Sequence, residues 1–298
     1  MQSANLGLIG YGEVGGIFCA GLKEHVASVQ AWDIKLADEA AAAPLRARAE
    51  RDGVSLCGSP AELCSRADLI ISAVTASSTV DVAREAARHI RPGTVFLDLN
   101  SASPGAKRDA AALIETARGQ YVEAGVMTSV PPYGIRVPML LGGPYAEALA
   151  ARLCAAGMEA SAVSSDLGVA SAIKMCRSVM IKGLEALVIE SYTTARAYGV
   201  EDHVLPTLQE TFPSIDWSEQ GAYFYSRVVQ HGRRRAEEMR EVANTVREAG
   251  FEPLMSSATA AKQDWVAGLA AQGLFAEVDK AGGWQAYADR LIAHAKNQ

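Results

Sequence analysis

The residues Gly10-Tyr11-Gly12-Glu13-Val14-Gly15 carry the clearest chemistry in the chain. Their G-x-G-x-x-G spacing follows a short apolar run ending at Ile9. It opens a stretch in which Val14, Ile17, Phe18 and Leu22 share one helical face. That context, strand then glycine turn then helix, is the dinucleotide-binding fingerprint. Gly10 permits the tight turn, Gly12 lets a pyrophosphate approach the backbone, and Gly15 allows close helix–strand packing. The helix start offers unpaired N–H groups and partial positive charge to phosphate. Asp33 ends the next apolar run about 20 residues on, where a carboxylate accepts hydrogen bonds from the adenosine ribose and repels a 2′-phosphate. The expected cofactor is NAD, with NADP kept open because Lys35 lies two residues on. Tyr11, Glu13, Val14, Val74, Thr75 and Asn100 complete the candidate cofactor contacts.

Lys174 is the second residue of interest. It stands among Ile173, Met175, Val179, Met180 and Ile181, and burial there disfavours the charged form of a lysine. Ser178, four residues on, shares its helical face. A lysine in such a stretch has two readings, a proton-exchanging group or a snorkelling, ion-paired one. Lys182 competes with it, and its expected partners are Glu185 or Glu190. His231 precedes Arg233, Arg234 and Arg235. The two nearer arginines can pair with Glu237 and Glu238 as on an exposed helix, and contact of His231 with substrate is the alternative. Phe212, Trp217, Tyr223, Phe224 and Tyr225 concentrate aromatic surface for a core, a dimer interface or an apolar pocket. The histidines are dispersed with no H-x-x-x-H pair, so no metal is expected. No G-x-S-x-G nucleophile turn is present.

Alternating elements must position these residues. Strands are predicted at 5–9, 29–33, 68–74, 94–99, 121–126, 137–141 and 159–163, with helices at 13–25, 36–51, 79–89, 104–117 and 144–156 between many of them. Such alternation predicts a parallel sheet covered on both faces. After Ser164 the pattern is helical only. Ser165 and Asp166 are candidate caps for a long helix over about 166–198, ended by Gly199. Helices follow at 201–211, 217–229, 233–249, 257–272 and 284–296. The fold class is therefore an α/β Rossmann domain with a doubly wound, mostly parallel sheet over 1–164. An all-α domain over 165–298 follows, joined by the long interdomain helix.

Composition excludes several classes. With 28 basic and 34 acidic residues the net charge is −6, so no basic face is expected for nucleic acid. Five cysteines, an odd number with no C-x-x-C pair, argue against a disulfide framework and fit a reducing compartment. Residues 1–5 carry no basic region before the apolar run and read as a strand opening, not a signal peptide. The most apolar long segment, 167–189, is interrupted by Lys174, Arg177 and Lys182, against a membrane span. A cytoplasmic protein is the expectation.

Four segments together resemble the β-hydroxyacid dehydrogenases, the family of 3-hydroxyisobutyrate and 6-phosphogluconate dehydrogenases. They are Leu8-Ile9-Gly10-Tyr11-Gly12-Glu13-Val14-Gly15, Leu97-Asp98-Leu99-Asn100-Ser101-Ala102-Ser103-Pro104, Val122-Glu123-Ala124-Gly125-Val126, and Gly168-Val169-Ala170-Ser171-Ala172-Ile173-Lys174-Met175. The second is similar to the family's loop beside the nicotinamide. The third stands where the family has a substrate-binding D-A-P-V-S-G-G, and the fourth resembles its G-x-G-x-x-x-K helix. The likeness runs in order over about the first 190 residues. The run His231–Met239 is similar to a branch whose C-terminal helical domain has no assigned function.

The resemblance implies that Lys174 exchanges the proton while hydride passes between the nicotinamide and a 3-hydroxy acid, possible decarboxylation included. Ser101, Thr128, Ser129, Ser178 and His231 are the candidate substrate contacts. The family's S-G-G is replaced here by Met127-Thr128-Ser129, and the Asn expected four residues after the lysine is Ser178. Substrate choice therefore carries over less well than reaction type. The rival readings are an NADP-dependent imine or carbonyl reductase and a non-catalytic sensor of NAD redox state. A homodimer through the helical domain is also implied.

Overall fold

The computed structural model describes residues 1–279 and 282–297. The chain divides into two compact units, 1–175 and 176–298. That division falls inside the long helix and not at Ser164, because the helix's first turns pack on the sheet of the first unit.

Unit 1 holds an eight-stranded sheet in the order β3-β2-β1-β4-β5-β6-β7-β8. The strands are β1 (Asn5–Ile9), β2 (Ser28–Trp32), β3 (Ser55–Leu56), β4 (Leu69–Ser72), β5 (Val95–Asp98), β6 (Gln120–Val126), β7 (Met139–Gly142) and β8 (Ala160–Ser164). All neighbouring pairs are parallel except β6 with β7. The covering helices are α1 (Glu13–Leu22), α2 (Glu39–Asp52), α3 (Pro60–Arg66), α4 (Thr79–Ala87), α5 (Pro104–Thr116) and α6 (Ala146–Cys154). Two apolar clusters are built on this sheet, one around Leu6, Leu8, Phe18 and Leu97, the other around Ile9, Ile70, Phe96 and Tyr121. Strands buried on both faces read as continuous apolar runs, as β4 does with Leu69-Ile70-Ile71. Strand β3 and helix α3 escape the sequence reading. The former has only two residues, and the latter is a short piece capped by Ser59 with Pro60 at its first position.

Unit 2 is helical. It takes the greater part of α7 (Val169–Tyr198), then α8 (Glu201–Thr211), α9 (Trp217–Glu248), α10 (Leu254–Ala271) and α11 (Gly283–Lys296). Its core gathers Tyr192, Trp217, Phe224, Tyr225, Trp284 and Tyr287. Three of the five aromatics singled out above are thus core residues, while Phe212 and Tyr223 stay about half exposed. Residues 217–248 form one helix, not the two expected. Gly232 is no breaker. A Cβ there would stand 2.8 Å from the Gln263 carbonyl oxygen and 3.0 Å from Ala267 Cβ, so the glycine lets α9 and α10 touch. Among the described residues no helix is long and apolar enough to cross a membrane.

Candidate active site

The order of strands reverses between β1 and β4, and in such sheets the crevice outside the carboxyl ends takes the ligand. The loops after β1, β2, β4, β5 and β6 carry most of the candidate residues to that end of the sheet.

The turn after β1 has a glycine at each required place. Gly10 has φ +93°, and a Cβ on it would meet the Ala73 carbonyl oxygen at 2.4 Å. A Cβ on Gly15 would meet the Gly10 carbonyl oxygen at 2.1 Å, so helix and turn are in contact. A Cβ on Gly12 would meet nothing within 4 Å, which leaves open space at the start of α1. Among the described residues no side chain caps that helix. The amides of Glu13, Val14 and Gly15 open α1 without intrahelical acceptors, so a pyrophosphate fits there. Glu13 is exposed, and its contribution to that site is its amide. Tyr11 is fully buried under the Arg48 guanidinium, 4.1 Å from the ring centroid, and Arg48 also donates to the Tyr11 carbonyl oxygen. Burial pushes the Tyr11 hydroxyl pKa up.

Asp33 ends the extended segment after β2, buried, with one carboxylate oxygen accepting from the Lys35 amide at 3.0 Å. Val74 follows β4 half-buried, and Thr75 is exposed beside Ser77 and Ser78. Asn100 is buried and joins two strand ends: its Oδ1 accepts from the Val74 amide at 2.7 Å and its Nδ2 donates to Ser72 Oγ at 3.0 Å. Its side chain therefore shapes the crevice floor between β4 and β5.

Ser101 lies next in the same loop, and Lys174 Nζ donates to its Oγ at 2.6 Å. Lys174, on the second turn of α7, reaches this point because Gly125 has no side chain. A Cβ on Gly125 would stand 2.9 Å from the Ala170 carbonyl oxygen and 3.4 Å from Lys174 Cβ. Thr128 and Ser129 follow β6 in a loop that continues through Pro131 and Pro132, with Thr128 exposed and Ser129 half-buried. That loop leans on α1 through Ile135, whose side chain fills the space over Gly21.

The two remaining candidates belong to unit 2. Ser178 is buried, and its Oγ accepts from Lys182 Nζ at 3.2 Å. Lys182 pairs with Glu238 at 3.0 Å and not with Glu185 or Glu190. Glu185 is taken by buried Arg235 and by Gln263, and Glu190 pairs with Lys262 at 2.6 Å. Sequence spacing favours partners on the same helix, whereas here the partners come from α9 and α10. His231 sits half-buried on α9, and Arg234 approaches Glu238 at 3.9 Å. Arg235 is not part of an exposed face.

Sequence reasoning missed four groups under the crevice: Asp98, Lys107, Tyr121 and Glu123. Asp98 is buried with Lys107 Nζ at 2.9 Å and the Tyr121 hydroxyl at 2.6 Å. Glu123 is buried in β6, its Oε1 accepting from the amides of Gly168 and Ala170. It caps the start of α7 in place of Ser165 or Asp166. An acidic residue inside an apolar strand, as in Val95-Phe96-Leu97-Asp98, was the available signal. Among the described residues no group of three or more His, Cys, Asp or Glu is placed to hold a metal ion.

Residues 5–132 match the NAD binding domain of 6-phosphogluconate dehydrogenase, and residues 195–266 match a domain of unknown function, DUF1932. A conserved hypothetical protein from Sinorhizobium meliloti is 38% identical with a TM-score of 0.76, over 98% of this chain and 97% of that one. The conserved protein MTH1747, of unknown function and described as structurally similar to 3-hydroxyacid dehydrogenases, is 32% identical with a TM-score of 0.68, over 90% of this chain and 99% of that one. The 3-hydroxyisobutyrate dehydrogenase of Mycobacterium tuberculosis shares the fold at 16% identity, with a TM-score of 0.67, over 93% of this chain and 95% of that one.

Proposed function

The chain belongs to the β-hydroxyacid dehydrogenase family, and on that premise we propose that it oxidises a 3-hydroxy acid with NAD, with Lys174 as the proton-exchanging group. The observation that carries this reading is the 2.6 Å contact between Lys174 Nζ and Ser101 Oγ at the carboxyl end of β5. A nicotinamide cofactor bound there would supply the hydride acceptor, held by the Gly10–Gly15 turn through its pyrophosphate. Asp33 favours the unphosphorylated adenosine ribose, since a carboxylate repels a 2′-phosphate.

The chain's own residues do the rest. In the oxidising direction the uncharged Lys174 amine takes the hydroxyl proton, and in the reducing direction the ammonium returns it. Ser101 donates or accepts at the same oxygen and keeps Lys174 aimed at it. Thr128 and Ser129, in the loop after β6, are the proposed holders of the substrate carboxylate, with Ser178 and His231 as proposed contacts from the helical unit. Asn100 keeps the ends of β4 and β5 together. Whether decarboxylation follows depends on the β-keto acid formed.

Absorbance of reduced nicotinamide across aliphatic, sugar-acid and aromatic 3-hydroxy acids tests the reading, with NAD and NADP on separate arms. Turnover with NAD should fall about 10²–10⁴-fold in Lys174→Ala. Tight NAD binding with no turnover of any hydroxy acid would move the reading to redox sensing, and turnover of imines with NADP alone would move it to imine reduction.

The same reading includes a homodimer through the helical unit, whose Met180, Leu187 and Tyr198 are exposed. Sedimentation showing a monomer at working concentration would remove that part. The cysteines are all free thiols, which suits a reducing, cytoplasmic setting.

A further inference from the structure

Glu123 has no exposure to solvent, and it stands in the middle of β6. Its Oε1 accepts from the backbone amides of Gly168 at 2.8 Å and Ala170 at 3.0 Å, where α7 begins. Its Oε2 is buried and has no hydrogen-bond partner among the described residues. A buried carboxylate is strongly disfavoured unless its charge is met. Asp98, on the neighbouring strand, meets that condition on both oxygens through Lys107, Tyr121 and the Asn100 amide. Among the described residues Glu123 has only the helix start, whose N–H groups carry partial positive charge.

The surroundings are shaped for this grip. Gly142 has no side chain, and a Cβ on it would stand 2.5 Å from Glu123 Oε1. Gly168 adopts φ +99°, which turns its amide into the carboxylate. Two residues along β6, Gly125 admits the Ala170 carbonyl and Lys174 Cβ to close contact. Ala170 and Lys174 are four residues apart and share one face of the helix. Strand β6 therefore holds α7 at two points, a charged one at the helix start and a steric one a turn later. Lys174 extends from the second point to Ser101.

We propose that Glu123 is the positioning residue for Lys174: its carboxylate fixes the rotation and height of the first turn of α7 on β6, and so places the amine on Ser101. The inference rests on the proposed role of Lys174, but its test does not require turnover. Trinitrobenzenesulfonate labels uncharged lysine amines, and peptide mass spectrometry reads each site separately. Labelling is followed from about pH 6 to about pH 10, bracketing the lysine titration. Lys107, buried beside Asp98, reports general loosening of the unit.

Glu123→Gln keeps the volume and removes the charge. It should raise the Lys174 labelling rate about tenfold, the loss expected from weakening charge-assisted hydrogen bonds, while Lys107 stays protected. Amide exchange at Gly168 and Ala170 should quicken by a similar factor. Glu123→Asp, which keeps the charge, should recover part of both. Gly142→Ala displaces the carboxylate without changing it and should act like Glu123→Gln, so the test stands if one variant fails to fold. An unchanged Lys174 profile in the folded variants would overturn the proposal, as would Lys107 and Lys174 becoming labelled in parallel. Where the protein turns over, Glu123→Gln should lower kcat with the KM for NAD unchanged. Absence of turnover in the wild type would sink the dehydrogenase reading and leave the labelling result to decide on Glu123.

Discussion

Asp98 gathers three donors in the interior of unit 1: Lys107 Nζ at 2.9 Å, the Tyr121 hydroxyl at 2.6 Å and the Asn100 amide at 2.9 Å. Replacing one member of such a set leaves a buried charge uncompensated. Lys107→Met should therefore lower the unfolding free energy by about 3–5 kcal/mol, and Tyr121→Phe by about 1.5–3 kcal/mol, read from denaturant midpoints. If Lys107→Met were neutral, the pair would not hold the floor of the crevice. Burial also pushes the thiols of Cys19 and Cys64 up to about 12, and burial beside Asp98 raises the Tyr121 hydroxyl well above its usual value. In each case the folded state favours the neutral form. The stability this brings is fully present below the ordinary thiol value of 9.0 and is lost as pH rises from there through about 12. Urea midpoints should decline steadily above about pH 9, and a flat profile would contradict the burial of these groups.

Elements here meet through glycines. Gly15 lets α1 touch its own turn, Gly125 brings α7 onto β6, and Gly232 brings α9 onto α10. A larger residue at such a contact has backbone in its way. Gly232→Val should cost about 1–3 kcal/mol by overpacking. Gly268, inside α10, is a control, because a Cβ there meets nothing within 4 Å. Gly268→Ala should gain up to about 1 kcal/mol from helix propensity alone. Equal effects at the two positions, measured by thermal unfolding, would mean that Gly232 serves no packing role. The buried Glu185–Arg235–Gln263 set links α7, α9 and α10 in the same way. It explains why Arg235 leaves the surface that the run of arginines suggests.

At the scale of the whole molecule, the two units have separate cores, an aliphatic α/β one and an aromatic helical one. All the candidate cofactor contacts lie in the first. NAD at about 100 times its Kd should stabilise the unit that binds it by about 2.7 kcal/mol. Hydrogen exchange with and without NAD should therefore show slowing at β1, α1 and the segment after β2. Protection confined to α8–α11 would place the cofactor elsewhere. Phosphorylation of the ribose should weaken that protection, and Asp33→Ser should narrow the gap between NAD and NADP.

Local chemistry made much of this legible in the sequence. The glycine turn followed by a helix, the apolar strands, and the change to helices alone after Ser164 are patterns of period and of turn residues, and they suffice for the fold class. Lys174 stood out as a cation in an apolar stretch, and its catalytic reading came from the resemblance of residues 168–175 to the family's helix. What the sequence left open was decided by contacts between residues far apart in the chain. The meeting of Lys174 with Ser101 spans 73 residues, and the Glu123 cap on α7 spans 45 and 47. The partners of Lys182, Glu185 and Glu190 come from other helices, which spacing along α7 alone does not reveal. Gly232 is a helix breaker by propensity and a helix contact by packing, because the gain from close approach of α9 and α10 outweighs the propensity of one residue. The short strand β3 owes its place to pairing with β2, since two residues carry no period of their own.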